Sequence, residues 1–537
     1  MSGRGSKMKK YIPVLMGLLL GTYHTKASRT FFSIPVPFHP VSVERITMTH
    51  DQMFDYTKAT WRNFSITLFG GESTQPDRLA QYFLPFNKTC LVAGGLGSEA
   101  VKNHNVDLIS NYFDVLTGLP RSDAEALESD DIFDIINTWT FQSNLRFCPS
   151  HKYWGIGLLY HQHLSSELDK GWWFEFAMPI MGIKNDMGMC ETIVTPGGPN
   201  GDDPQASGSF FTDSENIHAA QNMTSALRSG ILKYGRIDER EYRRTKWGVA
   251  DIEARLGYTY FRGPRYHLSS YAGILAPTGT KVTSEYLFEK IIGYNGHTGF
   301  FFGTVGGIKV WAHDENSLAF EFDTGATLFL DNVQIRSIDP YGKPWGRYIW
   351  VYPSKRDSAQ LSPGINYFTK AVRVDHGSIR ALNLSWVYTM SNFQGELGYH
   401  FYSRDREKVR LARSWHNDYR GFAGIWNNLN NFIKGGDPRI TKSSATINNY
   451  TEVTNDVVEF KASPVEDTFV PIDSCQLDFE SAEHPSVVVS TVYLSLVYGW
   501  HDIVFPTTIN LAGGYEFGDG PAVMDKWKVW AKIGVAF

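Results

Sequence analysis

The sequence predicts an all-β protein: a transmembrane, antiparallel, up-and-down β-barrel of about 14 strands with long extracellular loops, 12 or 16 strands being the alternatives. Three observations carry this prediction. Apolar and polar side chains alternate over stretches about twice as long as the usual strand of about 5–6 residues. Aromatic residues make up 14% of the 537 residues and charged residues only 20%. The long connections all fall at one end of the predicted barrel, and short turns join the strands at the other end, as in membrane barrels.

The first 27 residues, Met1 to Ala27, are predicted to be a secretory signal peptide. Lys9 and Lys10 precede an apolar run at 12–20, and Thr25-Lys26-Ala27 is a usable cleavage site. The alternative is an N-terminal membrane anchor. The apolar run is too short to cross a hydrocarbon layer of about 30 Å, so the signal peptide is favoured.

Alternation is clearest at 250–260, where six apolar residues point one way and Asp251, Glu253 and Arg255 point the other way. The same pattern recurs along the chain and changes direction at Gly, Pro, Asn and Asp clusters. The predicted strands are 61–70, 107–115, 139–147, 154–160, 172–180, 250–260, 266–274, 300–310, 318–330, 382–390, 393–401, 488–500, 503–517 and 524–537, with a tight turn at 149–150.

The final strand has an apolar face of Trp527, Val529, Ile533, Val535 and Phe537, and its other face carries lysines. This ending resembles the C-terminal strand of bacterial outer-membrane β-barrel proteins, which typically finish on Phe. The resemblance implies a location in the outer membrane of a Gram-negative bacterium and contact with outer-membrane lipid. It also implies that the barrel-insertion machinery recognises the last strand, which ends at Phe537.

The predicted organisation is a signal peptide at 1–27, a periplasmic or plug segment at 28–60, and a barrel at 61–537 with long loops at 184–246, 331–378 and 406–485. The segment at 28–60 has several proline turn signals and little alternation. In strand number and in this extra N-terminal sequence the chain is similar to the long-chain fatty-acid and aromatic-hydrocarbon transporter family, which implies a plug. The aromatic loop at 331–378 is interpreted as a constriction, a ligand site or a packed external cap.

The polar face of a barrel strand lines the lumen, so the charged and imidazole residues on these faces are predicted to line a pore. Both signs of charge are present, which predicts either a weakly selective channel or ion pairs that brace the wall. The predicted pore-lining residues are Arg146, His161, Glu175, Asp251, Glu253, Arg255, Arg265, His267, Lys309, Glu321, Asp323, Glu396, His400, Lys526, Lys528 and Lys532.

Composition argues against several classes of function. The formal net charge is −5 and the leader carries five of the cations, so nucleic acid is not an expected partner. The chain has four widely spaced cysteines without a CxxC motif: Cys90, Cys148, Cys190 and Cys475. Their spacing is compatible with disulfides and with isolated thiols. No cofactor and no metal site are predicted.

The first functional hypothesis is an outer-membrane channel or porin through which small solutes diffuse, with homo-oligomers possible. The alternatives are a plugged barrel that transports hydrophobic small molecules and a structural surface protein. No enzyme activity is predicted, because the chain has no GxSxG motif and its inward histidines have no identifiable serine partner.

Overall fold

The fold is described from a computed structural model of the chain. The residues that it describes are 29–47, 62–84, 88–94, 142–165, 167, 169–195, 223–228, 230, 232–341, 345–348, 350–352, 362–415, 421–422, 472–501 and 503–537.

Twelve antiparallel strands form a closed barrel in which each strand pairs with its neighbours in sequence. The last strand pairs with the first, from Asn63 opposite Ala536 to Ser73 opposite Lys526, and this pairing closes the wall. The strands are β1 Arg62–Ser73, β2 Ser150–His163, β3 Gly171–Asp186, β4 Ile252–Arg262, β5 Tyr266–Ala276, β6 Gly299–His313, β7 Asn316–Phe329, β8 Ile379–Met390, β9 Phe393–Arg404, β10 Val487–Trp500, β11 Thr507–Gly518 and β12 Lys526–Ala536.

The wall is apolar outside and polar inside. On β1 the outward Leu68 is 54% exposed, whereas the inward Ser65 and Thr67 are buried. On β11 the outward Leu511 is 64% exposed and the inward Asn510 is buried. A soluble sandwich would place its apolar face in the core, so this arrangement requires lipid around the barrel. The predicted transmembrane β-barrel is confirmed.

The barrel has twelve strands, the lower predicted alternative, instead of the favoured fourteen. The predicted strand at 61–70 is β1. The one at 107–115 lies outside the described residues. The stretch predicted at 139–147 contributes only Gln142–Arg146, which joins a separate three-stranded sheet between Cys90–Gly94 and Cys190–Thr195. The predicted turn at 149–150 is therefore wrong, because β2 already begins at Ser150.

Short turns connect the strands at the barrel end that holds the C-terminus, and this end is called the short-turn end. At the opposite, long-loop end the connections fold into further elements. Lys246–Val249 pairs with β3 outside the closed ring. The other short strands are Asn332–Ser337, Asp339–Pro340, Trp350–Tyr352, Ser362–Pro363, Thr369–Asp375, Lys408–Leu411, Gly421–Phe422 and Leu477–Asp478. The helices are α1 Val43–Ile46, α2 Pro76–Phe83, α3 Met223–Arg228, α4 Glu239–Arg243 and α5 Gly364–Phe368, with 3₁₀ turns at Gly346–Tyr348, Ser474–Gln476 and Phe479–Ala482.

These elements pack into a cap over the long-loop end. Its largest apolar cluster includes Phe83 of α2, Phe147, Phe288 and Trp345, all nearly inaccessible to solvent. Trp345 donates its indole N–H to the carbonyl of Phe83 at 2.8 Å, which joins the loop at 331–378 to α2. The aromatic loop thus packs in an external cap, one of its predicted alternatives. In the described part of the chain, no helix is long and apolar enough to span a membrane.

Candidate functional site: the luminal segment and the hollow beside it

Residues 29–47, called the luminal segment here, lie inside the barrel. At the cap, the N–H of Thr30 donates to the carbonyl of Ser481 at 2.8 Å. Deeper in the barrel, Trp530 of β12 donates its indole N–H to the Thr47 hydroxyl at 2.9 Å. Between these points His400 of β9 donates from Nε2 to the carbonyl of Val41 at 2.7 Å. The segment therefore runs from the cap into the barrel interior.

The local sequence keeps this segment extended. Pro35, Pro37 and Pro40 lack an amide N–H and disfavour helix in the residue before each of them. Phe38 lies at a φ of 60°, in the left-handed region. Its ring stacks on Phe69 of β1 at 5.9 Å and covers Gly157 of β2, where a Cβ would approach the ring to 2.4 Å. A glycine at 157 is what allows the segment to lie this close to the wall.

Arg45 connects the segment to two strands of the wall. Its guanidinium donates to the carboxylates of Glu175 on β3 and Glu253 on β4. Arg255 of β4 also pairs with Glu175, and His161 of β2 lies 3.3 Å from the same carboxylate. These five side chains are almost fully buried. Two arginines thus compensate two glutamates, so the charge of Arg45 is needed to balance the wall.

A second charged chain lies on the β11–β12 side. Glu516 accepts from Lys526 at 3.0 Å and from Lys528 at 2.7 Å. Lys528 also lies 3.5 Å from Glu44 of the luminal segment. The third lysine of β12, Lys532, donates to the carbonyl of Thr47. The lysines of the last strand therefore hold the luminal segment.

A narrow hollow remains between the luminal segment and strands β9 to β12. It consists of two small adjoining cavities, which share Pro35, Tyr402, Val489 and Glu516 as lining residues. The part near the cap is mostly apolar, and the inner part carries most of the polar groups. The apolar lining includes Phe32, Val487, Val523 and Met524, and the polar lining includes His39, Glu44, Lys526 and Lys528.

Most of the predicted pore-lining residues occupy inward positions, but in the described residues they are largely paired and do not face an open pore. His161, Glu175, Glu253, Arg255, Glu396, His400, Lys526, Lys528 and Lys532 are buried in the interior, as is Asp323, to which Tyr271 donates at 3.2 Å. His267 and Glu321 pair with each other at 3.2 Å near the short-turn end.

Two predicted residues lie outside the strands of the wall. Arg146 lies in the separate three-stranded sheet, where it is exposed and pairs with Asp77 at 3.3 Å. Arg265 is exposed in a turn. Two others keep an inward position at the ends of their strands. Asp251 is buried just before β4, and its carboxylate accepts the backbone N–H groups of Gly279 and Tyr294. Lys309 lies opposite Ala319 at the short-turn end, where it is exposed.

Sequence reasoning missed Glu44, Arg45 and Glu516. The first two lie in a segment without alternation, and Arg45 is separated from its partners by 130 and 208 residues in sequence. Glu516 occupies a polar position of β11 that alternation identifies, so it belonged in the predicted set. For Glu44 and Arg45 the sequence holds no signal of their partners.

The pairing of Lys528 leads to a prediction. Replacing Lys528 with methionine leaves Glu44 without its cation, and breaking a buried ion pair from one side costs about 3–5 kcal/mol. We expect a marked fall in the thermal unfolding temperature in detergent. The double variant Lys528→Met/Glu44→Gln removes both charges and should recover most of the loss. Equal unfolding temperatures for the single variant and the unmodified protein would contradict the pairing.

The four cysteines form no disulfide, and the described residues contain no group of three or more His, Cys, Asp or Glu side chains arranged to hold a metal ion.

Comparisons with known proteins give low similarity. No family model matches the chain, and no curated protein matches it. Among solved structures, an outer membrane channel from Pseudomonas putida F1 aligns with a TM-score of 0.36 and 8% identity, over 94% of this chain and 98% of that one. A TodX deltaS2S3 mutant monoaromatic hydrocarbon channel gives 0.30 and 8%, over 89% and 90%. A Pseudomonas aeruginosa FadL homologue gives 0.26 and 7%, over 89% of each chain.

The closed wall itself decides the class of protein. Every wall strand pairs on both sides, so no unpaired strand edge faces hydrocarbon. The outward side chains are apolar, with aromatic rings such as Trp172 and Trp500 near the strand ends. The chain is a membrane-spanning β-barrel protein whose interior holds residues 29–47 of the same chain.

Proposed function

We propose that the protein is a plugged outer-membrane channel for small hydrophobic molecules that carry one polar end. The observation that carries the proposal is the luminal segment, which occupies the barrel interior among the described residues and borders a hollow along β9 to β12. This is the transporter alternative of the sequence interpretation. This proposal takes the place of the first functional hypothesis, in which small solutes diffuse freely through an open pore.

The charges of the interior support a plug over an open aqueous pore. A porin keeps charged side chains at a water-filled constriction, where they act on passing solutes. Here Glu175, Glu253 and Glu516 instead pair with buried cations. Glu175 and Glu253 both pair with Arg45 of the luminal segment. Withdrawal of the segment would therefore leave these two carboxylates without that cation.

The lining of the hollow indicates the kind of molecule that fits. Val487, Val489, Val523 and Met524 offer an apolar surface at the cap end, which favours a hydrocarbon body. At the inner end, His39 is buried and neither of its ring nitrogens has a hydrogen-bond partner among the described protein atoms. A hydroxyl or similar polar end of a bound molecule would satisfy that ring, because an unpaired buried polar group is unfavourable.

The test compares two solutes and two matched variants. Cells that express the protein should take up radiolabelled 1-decanol faster than cells without it, whereas proteoliposomes should not swell in glucose. Val489→Trp fills the hollow from the inward face of β10 and should abolish the added uptake. Val488→Trp places the same ring on the lipid face, where Val488 is 44% exposed, and should leave uptake unchanged. Rapid swelling in glucose, or equal uptake by both variants, would reject the plugged channel.

A further inference from the structure

A series of rings in edge-to-face or tilted contact, called the ring stack here, links the luminal segment to the loops of the cap. His39 of the segment packs on Tyr294 with ring centroids 4.7 Å apart. Tyr294 in turn packs on His376 at 5.5 Å, and His376 packs on His297 at 5.2 Å. Phe329 at the end of β7 completes the stack, 4.3 Å from His376. The three histidines come from three separate parts of the chain, and all are buried.

Hydrogen bonds fix His297 in its neutral form. Its Nδ1 lies 2.8 Å from the carbonyl of Leu330, to which it donates, and its Nε2 lies 2.8 Å from Nε2 of Gln334. The Gln334 oxygen already accepts from Asn295 at 2.8 Å and from Arg336 at 2.9 Å. The Gln334 nitrogen must therefore be the donor, and the His297 Nε2 must be an acceptor without a proton.

A proton on Nε2 of His297 would place its N–H opposite the N–H donor of Gln334. The imidazolium would also be buried near Arg336, which is itself fully buried. Burial, and then the neighbouring charge of Arg404, lowers the pKa of His376 well below its usual range. Burial also lowers the pKa of His297. The closed arrangement therefore favours neutral rings.

The carboxylates around the stack already accept hydrogen bonds from other groups, and Asp251, beside Tyr294, accepts the backbone N–H groups of Gly279 and Tyr294. Glu407 accepts from Arg336 at 3.1 Å, and Asp331 accepts from Arg410 at 3.0 Å. The positive charges of Arg404 and Arg45 oppose protonation of His376 and His39, respectively. The groups that line the hollow together with His39 are Glu44, Glu516, Lys526, Lys528 and His400, and both glutamates already pair with lysines.

We propose that this ring stack is an acid-sensitive latch that holds the luminal segment closed at neutral pH and releases it at mildly acidic pH. The proposal rests on the plugged channel proposed above and adds its regulation. Once the stack separates, each histidine meets water and takes up a proton below its ordinary pKa of about 6.5. In the closed state the histidine pKa is depressed. The closed state therefore keeps its full advantage over the open state above about pH 6.5, and it loses that advantage as the pH falls below about 6.5.

The measurement is the open probability in planar bilayers at pH 7.5 and at pH 5.5, above the usual range of exposed carboxyl groups. For each histidine that changes from a strongly depressed to an ordinary pKa, the open state gains on the order of tenfold. We expect at least a tenfold rise for the unmodified protein. His297→Gln keeps an oxygen acceptor for Gln334 but does not titrate, and its response should be clearly smaller. Gln334→Glu supplies a carboxylate for the imidazolium and should also reduce the response.

The matched control is His313→Gln, because His313 is exposed at the short-turn end and should not affect the response. Equal open probability of the unmodified protein at the two pH values would overturn the latch, as would a full response in both His297→Gln and Gln334→Glu. Arg45→Ala at pH 7.5 separates this failure from failure of the plugged channel. If that variant opens while the unmodified protein ignores pH, only the latch is rejected. If that variant stays closed, the plug is rejected as well.

Discussion

Replacing Arg45 with alanine is expected to open the channel at neutral pH. Arg45 is the only described cation of the luminal segment that pairs with wall carboxylates, those of Glu175 and Glu253. Without it, Arg255 alone faces both glutamates inside a buried region. Removing one partner of a buried ion pair costs about 3–5 kcal/mol. A loss of that size corresponds to about a hundredfold or more in the equilibrium between the closed and released segment.

Single-channel recording in planar bilayers measures this effect. The unmodified protein should be closed for nearly all of the recording, and Arg45→Ala should show frequent stepwise openings. The double variant Arg45→Ala/Glu253→Gln removes one charge of each sign and should return to mostly closed behaviour. A non-additive result of this kind identifies the pair itself as the cause.

The surface offers a matched control for the arginine replacement. Arg146 pairs with Asp77 at 3.3 Å, and its side chain is 59% exposed. Exposed pairs contribute about 0–1 kcal/mol, so Arg146→Ala should leave the recordings unchanged. If Arg45→Ala and Arg146→Ala behaved alike, the luminal segment would not be held by its buried charges.

A disulfide between the luminal segment and the wall is expected to hold the channel closed. A Cβ at Gly325 of β7 would lie 2.8 Å from Cγ1 of Val41, so the two positions face each other at the short range that a disulfide needs. The variant is Val41→Cys/Gly325→Cys with the four native cysteines replaced by serine. Oxidation should abolish both conductance and the added uptake of 1-decanol, and dithiothreitol should restore them.

The disulfide also tests the cause of opening in Arg45→Ala. If opening requires withdrawal of the segment, the oxidised disulfide should keep even Arg45→Ala closed, and reduction should release it. The variant Val41→Cys alone, which cannot form this link, is the control for oxidation. Openings through the oxidised Arg45→Ala barrel would show that solutes pass beside a stationary segment.

The sequence predicts the wall well because the wall is a local pattern. In a strand such as β12, the alternation of apolar and polar residues indicates which side chains face lipid and which point inward. This pattern depends only on the residues of the strand itself. The errors fall where the period breaks. Arg265 lies in a turn, and Gln142–Arg146 alternates but pairs in a separate sheet.

The cap was predicted only as one of three alternatives for the loop at 331–378. Aromatic residues such as Trp345 and Tyr348 show that a loop can bury surface, but they do not state its partner. Trp345 packs near Phe147, and Tyr348 donates to the carbonyl of Gly235 at 2.7 Å. Contacts between residues this far apart depend on how the loops fold together, which no local period encodes.

By itself the sequence determined a lipid-facing antiparallel barrel with polar inward positions, because strand periodicity and burial in lipid act within about ten residues. Only the tertiary structure decided what those inward positions meet. Lys528 is an inward lysine by pattern, and it becomes a contact of the luminal segment because Glu44 lies 3.5 Å away, 484 positions earlier in the chain. The same charges that would line an open pore pair with the segment, because buried charges are stable only with partners.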